Sequence, residues 1–133
     1  MIKCTVITPD GVHYELTTSI INVGSTDGQR GILPNHMPLV LMLDISRMTT
    51  VENGVRKHYA IGGGMLYLKN NEATILVDTF ETKEQIDEKR ALEAKERAEG
   101  RLSKKKDPDI DYKRAEVALK KAINRLNVKY YSD

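Results

Sequence analysis

The chain has 133 residues, of which 40% are hydrophobic and 30% charged, and its formal net charge is +2. This length suits one ordinary domain or two very small ones, and the composition excludes fibrous, membrane-spanning and disulfide-stapled classes. The single cysteine, Cys4, excludes an internal disulfide and a zinc site of clustered cysteines. The longest apolar run, residues 37–43, is too short to cross a bilayer, and no secretion leader is recognisable. We therefore expect membrane association only through another protein.

Charge is distributed unevenly along the chain. Residues 1–84 carry 7 Lys and Arg against 9 Asp and Glu, whereas residues 85–133 carry 14 against 10. A net charge of −2 is thus followed by one of +4. A basic C-terminal segment favours an acidic partner, which leaves protein, nucleotide and nucleic acid open.

Residues 2–80 alternate between apolar and polar positions in short runs that are separated by turn residues. Such spacing is typical of an all-β sandwich or barrel. The turn signals are Pro9-Asp10-Gly11, Asp27-Gly28, Asn53-Gly54 and Asn70-Asn71. We therefore predict a sandwich or flattened barrel of about ten strands, occupying a first domain at residues 1–84.

A helix is predicted to begin near Thr82. Thr82 and Gln85 have the spacing of a capping box, in which each side chain satisfies a backbone amide of the other residue. A stripe of small apolar residues follows at helical spacing: Ala91, Ala94, Ala98 and Leu102. A second stripe runs beside it: Arg90, Arg97 and Arg101. This helix therefore needs a partner along the alanine stripe.

A second helix is predicted from Pro108 to about Asn127, with Asp107 as its N-cap. Its apolar seam is Ala115, Ala118, Leu119, Ala122, Ile123 and Leu126. Its basic stripe is Arg114, Lys121 and Arg125. Together the two helices predict a second domain at residues 85–133, an antiparallel helical hairpin. Because alanine buries little surface, we expect the hairpin to be held loosely and to exist in closed and opened forms.

No catalytic constellation is visible in the sequence. His13, His36 and His58 lie in separate β segments without the spacing of metal ligands, so we expect no metal site. The arginine stripes allow two interpretations. They are either solvated helix faces or donors that converge on phosphate groups.

Residues 31–39 read GILPNHMPL and resemble the motif GILPGHxPL of the epsilon subunits of bacterial-type rotary ATP synthases. Residues 86–91, IDEKRA, are similar to the I/L-DxxRA segment of that family, and Gly63-Gly64 precedes a strand as in its relatives. The resemblance covers essentially the whole chain. It implies a sandwich followed by a helical hairpin, and a central-stalk subunit of the F1 sector without catalysis of its own.

In this family the sandwich binds the gamma subunit and the membrane rotor (c) ring, and the hairpin changes between a folded and an extended form that inhibits ATP hydrolysis. The resemblance thus implies a peripheral protein at the cytoplasmic face of a bacterial membrane. The implied stalk and ring contacts are Gly31, Leu33, Pro34, His36 and Pro38. In the extended form, cations of the second helix would meet the catalytic beta and alpha subunits: Lys113, Arg114, Lys120, Lys121 and Arg125.

Several members of the family bind ATP in the folded hairpin, which implies ATP as a regulatory ligand and no required cofactor. Carried over by position, the nucleotide contacts are Glu81, Ile86, Asp87, Arg90, Ala91, Arg97 and Arg125. The three arginines would hold phosphates and the two carboxylates would accept hydrogen bonds from adenine or ribose. Ile86 and Ala91 would pack on the base.

The chain departs from the family pattern at three places. Lys121 stands where ATP-binding relatives often have Arg, which replaces a forked phosphate contact with a point charge. Gln29-Arg30 replaces an acidic-apolar pair, and Asn35 replaces a glycine.

The alternative is a nucleic-acid-binding module that uses the basic hairpin. It would need a base-reading surface, for which that half offers only Tyr112, Tyr130 and Tyr131 as aromatic residues. We therefore predict no nucleic-acid partner.

Overall fold

The protein is described by a computed structural model, which covers residues 1–11, 13–104 and 108–130. Within these residues the chain forms ten strands, one 3₁₀ turn and two helices. The strands are β1 (Ile2–Ile7), β2 (His13–Thr18), β3 (Ile21–Ser25), β4 (Gly28–Ile32), β5 (Leu39–Leu43), β6 (Ser46–Glu52), β7 (Val55–Ile61), β8 (Gly64–Lys69), β9 (Glu72–Val77) and β10 (Phe80–Thr82). The 3₁₀ turn is Lys83–Gln85, and the helices are α1 (Glu88–Ser103) and α2 (Tyr112–Tyr130). The predicted fold class is confirmed.

The strands form one hydrogen-bonded path in the order β10-β7-β6-β3-β5-β8-β9-β1-β2, with β4 paired to β3. Neighbours run antiparallel except β1 and β9, which are parallel. The two ends of the path touch, because the ring of Tyr14 on β2 lies 5.3 Å from that of Phe80 on β10. The sheet therefore folds over on itself into a sandwich, hereafter the name for β1–β10.

The core lies between the two layers and follows the predicted alternation. Ile2, Cys4 and Val6 on β1 are fully buried, and so is Ile75 on the neighbouring β9. Asn53 and Gly54 form the two-residue turn between β6 and β7, with both residues at positive φ as tight hairpins require.

The first helix begins later than the sequence predicted. The capping box of Thr82 and Gln85 is present, but it caps the 3₁₀ turn, after which Ile86 is extended. Asp87 is the N-cap of α1, and its carboxylate accepts a hydrogen bond of 3.1 Å from the Arg90 amide. Burial of Ile86 explains the interruption, since its side chain packs with residues of β7 and α2.

The second helix also begins later than predicted. It starts at Tyr112, and the Asp111 carboxylate accepts a hydrogen bond of 3.1 Å from the Arg114 amide. Pro108 lies in a turn before the helix, so the predicted start is wrong, and Asp107 lies outside the described residues. The helix continues beyond Asn127 to Tyr130.

The apolar seam between the helices is narrower than predicted. Ala91 and Ala98 of α1 are buried, as are Ala115, Ala122 and Leu126 of α2. In contrast, Ala118 and Ile123 are exposed, because they lie on the two edges of the seam rather than at its centre. Tyr130 Oη donates a hydrogen bond of 2.8 Å to Glu88 Oε1, which fixes the helices as antiparallel.

Candidate functional site

The folded hairpin rests on the sandwich through the polar side of α2. Three cations of α2 pair with three carboxylates of the sandwich, and we call these contacts the docking ion pairs. They are Lys120 Nζ with Asp44 Oδ1 at 2.7 Å, Lys121 Nζ with Asp78 Oδ2 at 2.8 Å, and Arg125 Nε with Glu81 Oε1 at 2.8 Å. Arg125 Nη2 donates a hydrogen bond of 3.1 Å to Glu81 Oε2, so two guanidinium nitrogens lie against this carboxylate.

The docking ion pairs differ in their exposure to solvent. The side chains of Lys120 and Asp44 remain about half exposed, whereas those of Arg125 and Glu81 are 29% and 26% exposed. Exposed pairs contribute only about 0–1 kcal/mol each, because water and salt screen them. The Arg125–Glu81 pair is therefore the least screened of the three.

Lys120 changes the acidity of its partner. Its hydrogen bonds to both carboxylate oxygens lower the pKa of Asp44 from the ordinary value, against a smaller opposing effect of desolvation. The charged form of Asp44 is thus the form that the docked hairpin favours.

Neutral contacts complete the docking face. Asn124 Nδ2 donates to the Ser46 carbonyl at 2.9 Å. Near the end of α2, Val128 is fully buried against Ile86 and Ala60, a cluster that we call the apolar clamp. The hairpin is therefore held at two places, by charge along α2 and by apolar packing near its end.

The structure brings only some of the sequence-predicted nucleotide contacts together. Glu81 and Arg125 form a docking ion pair, and Asp87 caps α1. Arg90 is largely exposed, with Nε 3.9 Å from Asp87 Oδ2, and Arg97 is also exposed. These donors are available to a ligand in the folded form.

The two predicted apolar contacts of the base are covered in this form. Ile86 is 2% exposed in the apolar clamp, and Ala91 is 0% exposed in the seam between the helices. In the folded hairpin neither side chain is therefore accessible to a base.

Both helices carry a basic residue immediately before each buried seam residue. The pairs are Arg90–Ala91 and Arg97–Ala98 in α1, and Arg114–Ala115, Lys121–Ala122 and Arg125–Leu126 in α2. One position rotates a side chain by about 100° in a helix. Because the helices are antiparallel and of the same hand, this equal offset places all five cations on the same flank of the hairpin. We call it the basic flank.

The loop with the GILPNHMPL motif joins β4 to β5 and is exposed. Gly31 lies in β4 and pairs with Asn22 of β3, while Leu33 is 59% exposed. Pro34 and His36 are half-buried, and Pro38 is exposed. The loop is thus separated from Asp44 of the docking ion pairs by the length of β5.

An apolar surface that the sequence analysis did not identify covers the outer face of β5, β8, β9 and β1. Met42, Met65, Leu76 and Ile7 lie in one register row, and Val40 and Tyr67 pair in a neighbouring row. Val40 is 57% exposed and Met42 is 58% exposed. The sequence does contain a signal for this surface. Apolar residues occupy the outward-facing positions of these strands, where a solvent-exposed sheet face has polar residues. We call this the apolar face.

Of the cations assigned to the catalytic subunits, Lys113 and Arg114 are exposed, while Lys120 and Lys121 belong to the docking ion pairs. In the described ranges, no three His, Cys, Asp or Glu side chains gather as metal ligands. No helix among the described residues is long and apolar enough to span a membrane.

Comparison with known protein families gives two matches that together span almost the whole chain. The model for the ATP synthase delta/epsilon chain, beta-sandwich domain, matches residues 1–83. That for the ATP synthase delta/epsilon chain, long alpha-helix domain, matches residues 84–129. The fold and these matches define the class, the delta/epsilon chains of ATP synthase.

Individual relatives narrow this class. The ATP synthase epsilon chain of Bacillus licheniformis is 45% identical over 127 residues, which are 96% of each chain. That of Caldicellulosiruptor bescii is 43% identical over 123 residues, which are 92% of this chain and 89% of the relative. The protein belongs to the family of ATP synthase epsilon chains.

Two solved structures share the fold at low sequence identity. A chain of the Euglena gracilis mitochondrial ATP synthase, an OSCP/F1/c-ring assembly, matches with a TM-score of 0.72 and 22% identity, covering 90% of this chain and 75% of that one. A chain of the Tetrahymena thermophila central stalk and c-ring matches with a TM-score of 0.58 and 14% identity, covering 96% and 92%. At these identities the likeness concerns the fold alone.

Proposed function

We propose that the chain is a non-catalytic subunit of the ATP synthase central stalk, peripheral to the membrane at its cytoplasmic face. Its sandwich joins the gamma subunit to the rotor ring, and its hairpin inhibits ATP hydrolysis when it extends. The observation that carries the proposal is the way in which α2 docks, through partly exposed ion pairs and one small apolar clamp.

The energies of the docking contacts support a hairpin that docks reversibly. Each exposed docking ion pair contributes about 0–1 kcal/mol, and a buried valine about 1.5–3 kcal/mol. Docking is therefore worth a few kcal/mol. A ligand that binds only the docked form, at a concentration 100 times its dissociation constant, stabilises that form by about 2.7 kcal/mol. This energy is enough to decide between the docked and extended forms.

ATP is the proposed ligand, and the basic flank is its proposed site. Arg90 and Arg97 offer forked donors to phosphate oxygens, and both are exposed on the folded hairpin. Arg125 would take part by exchanging its contact with Glu81 for one with a phosphate, which frees Glu81 to accept a hydrogen bond from the base or ribose.

In the extended form, the cations of α2 change partners. Lys120, Lys121 and Arg125 would leave the carboxylates of the sandwich and, with Lys113 and Arg114, meet an acidic surface of the catalytic beta and alpha subunits. The same charges would then stabilise either form, so a small ligand energy shifts the balance. The nucleic-acid alternative is not carried forward, because three of the same cations already pair with carboxylates.

The apolar face is the proposed contact with the gamma subunit. Contiguous exposed apolar residues of this kind mark interaction sites on soluble domains. The exposed loop at residues 33–38 is the proposed contact with the rotor ring.

Two valines of equal exposure test the stalk assignment. Val40 lies on the apolar face and Val55 at the β6–β7 turn, and both are 57% exposed. In a titration with purified gamma subunit, Val40→Glu should weaken binding at least about tenfold, since it places an unpaired charge in the interface. Val55→Glu should leave binding unchanged. Equal affinities of the two variants would contradict the assignment of the apolar face.

A further inference from the structure

Two asparagines that are 36 positions apart form a reciprocal pair at the exposed loop. The Asn35 amide N–H donates to Asn71 Oδ1 at 2.6 Å, and Asn71 Nδ2 donates to Asn35 Oδ1 at 3.1 Å. One residue belongs to the loop between β4 and β5, and the other to the turn between β8 and β9. We call this contact the asparagine clasp.

The turn is the fixed side of the clasp. Its Asn71 carbonyl accepts a hydrogen bond of 2.9 Å from the Lys3 amide on β1, and the residue adjoins the β8–β9 ladder. Both asparagines have positive φ, +66° at Asn35 and +62° at Asn71, which asparagine tolerates better than most residues. The clasp therefore connects the loop by hydrogen bonds to a turn that is itself hydrogen-bonded to the sheet.

The loop that the clasp holds presents two apolar side chains to solvent. Leu33 is 59% exposed and Met37 is 77% exposed, on either side of Asn35. Large apolar side chains exposed on a loop offer surface that a partner can bury. A loop that is already ordered loses less conformational entropy when it binds.

We propose that Asn71 is a positioning residue, which orders residues 33–38 for their contact with the rotor ring. The inference rests on the proposed ring contact and adds the residue that prepares it. At the position where the family motif has glycine, Asn35 supplies the side-chain oxygen that accepts a hydrogen bond from Asn71 Nδ2.

The turn itself offers a matched control. Asn70 and Asn71 are neighbours and both have positive φ, so glycine is tolerated at either position without backbone strain. Only Asn71→Gly removes the clasp. In the full chain, Asn71→Gly should raise the hydrogen-exchange rate of the Asn35 amide about tenfold, while Asn70→Gly should leave it unchanged.

The second measurement is the affinity of the full chain for the detergent-solubilised rotor ring, with the purified gamma subunit as a separate ligand. Asn71→Gly should weaken ring binding about three- to tenfold and leave gamma binding unchanged, because the loss is one of loop order. Asn70→Gly should bind both as the natural chain does.

The outcomes separate the inference from the function on which it rests. If Leu33→Ser weakens ring binding and Asn71→Gly does not, the clasp has no positioning role. An unchanged exchange rate at Asn35 would also overturn it. If the natural chain does not bind the ring, the proposed ring contact fails, and the inference fails with it.

Discussion

At the residue scale, the docked hairpin depends on charges that solvent reaches. Lys120 lowers the pKa of Asp44, so the carboxylate is more acidic in the docked form than in a released one. A lowered pKa stabilises the docked form above the ordinary value, and this contribution is lost as the pH falls through the lowered one. The docked hairpin should therefore weaken in acid, below about pH 4.

Asp44→Asn tests this pairing. At pH 7 and low salt the variant should favour the released hairpin by about 0.2–1 kcal/mol, and added salt should reduce the difference. Asp10→Asn, on an exposed loop of the sandwich, is the control and should change nothing. The population of docked hairpin, followed by fluorescence transfer between sandwich and α1, gives the measurement. Equal populations in Asp44→Asn and the natural chain would show that the ion pair does not hold the hairpin.

A single guanidinium group, that of Arg90, is expected to decide whether the protein responds to ATP. Arg90→Ala should weaken ATP binding in a calorimetric titration about tenfold or more, since it removes charge-assisted hydrogen bonds to phosphate. The neighbouring Lys89 is also exposed but does not precede a seam residue, so Lys89→Ala is the matched control. ATP affinity that Arg90→Ala leaves intact would remove Arg90 from the site.

At the element scale, α2 is the helix that contacts the sandwich, and the apolar clamp near its end is the contact least sensitive to salt. Val128 is fully buried there, whereas Val117 on the same helix is 40% exposed. The two valines share residue type and helix, and they differ in burial.

Val128→Ala should therefore destabilise the docked hairpin by about 1–2 kcal/mol, because it deletes two buried methyl groups. Val117→Ala should change it little. Urea titration of the docked population measures both variants, and salt should not alter the effect of Val128→Ala. If the two variants behave alike, the clamp does not hold α2.

The element boundaries also show where local sequence was sufficient and where it was not. The alternation of apolar and polar residues correctly predicted β1, and the Asn53-Gly54 pair correctly predicted the β6–β7 turn, since both signals are local. The cap at Thr82 was also a local signal, but it identified the 3₁₀ turn rather than α1. Burial of Ile86 decided that, and it depends on Val128 far along the chain.

At the scale of the whole molecule, the family resemblance predicted the fold. The comparisons confirm the fold and the membership of the family. The docking ion pairs were beyond reach of the sequence, because their partners lie 43 to 76 positions apart. Helical spacing predicted the two basic stripes, but only the folded hairpin places them on one flank. It also shows that Lys121, which departs from the family pattern, is engaged with Asp78.

The proposed function requires that the hairpin leaves the sandwich and that ATP binding returns it to the docked form. The distance between sandwich and α1 reports this directly, through fluorophores on Glu15→Cys and Gly100→Cys. Both positions are exposed, and a side chain at Gly100 meets no atom within 4 Å. Burial raises the pKa of the natural Cys4 thiol to about 12, so it should stay unlabelled in the folded protein.

The measurement is this distance in the assembled ATP synthase, with and without ATP, beside the rate of ATP hydrolysis. We predict a short distance at saturating ATP and a long distance with slowed hydrolysis when ATP is low. In Arg90→Ala the distance should stay long at both ATP levels. A distance that does not change with ATP in the natural chain would contradict the proposed ATP-dependent docking of the hairpin.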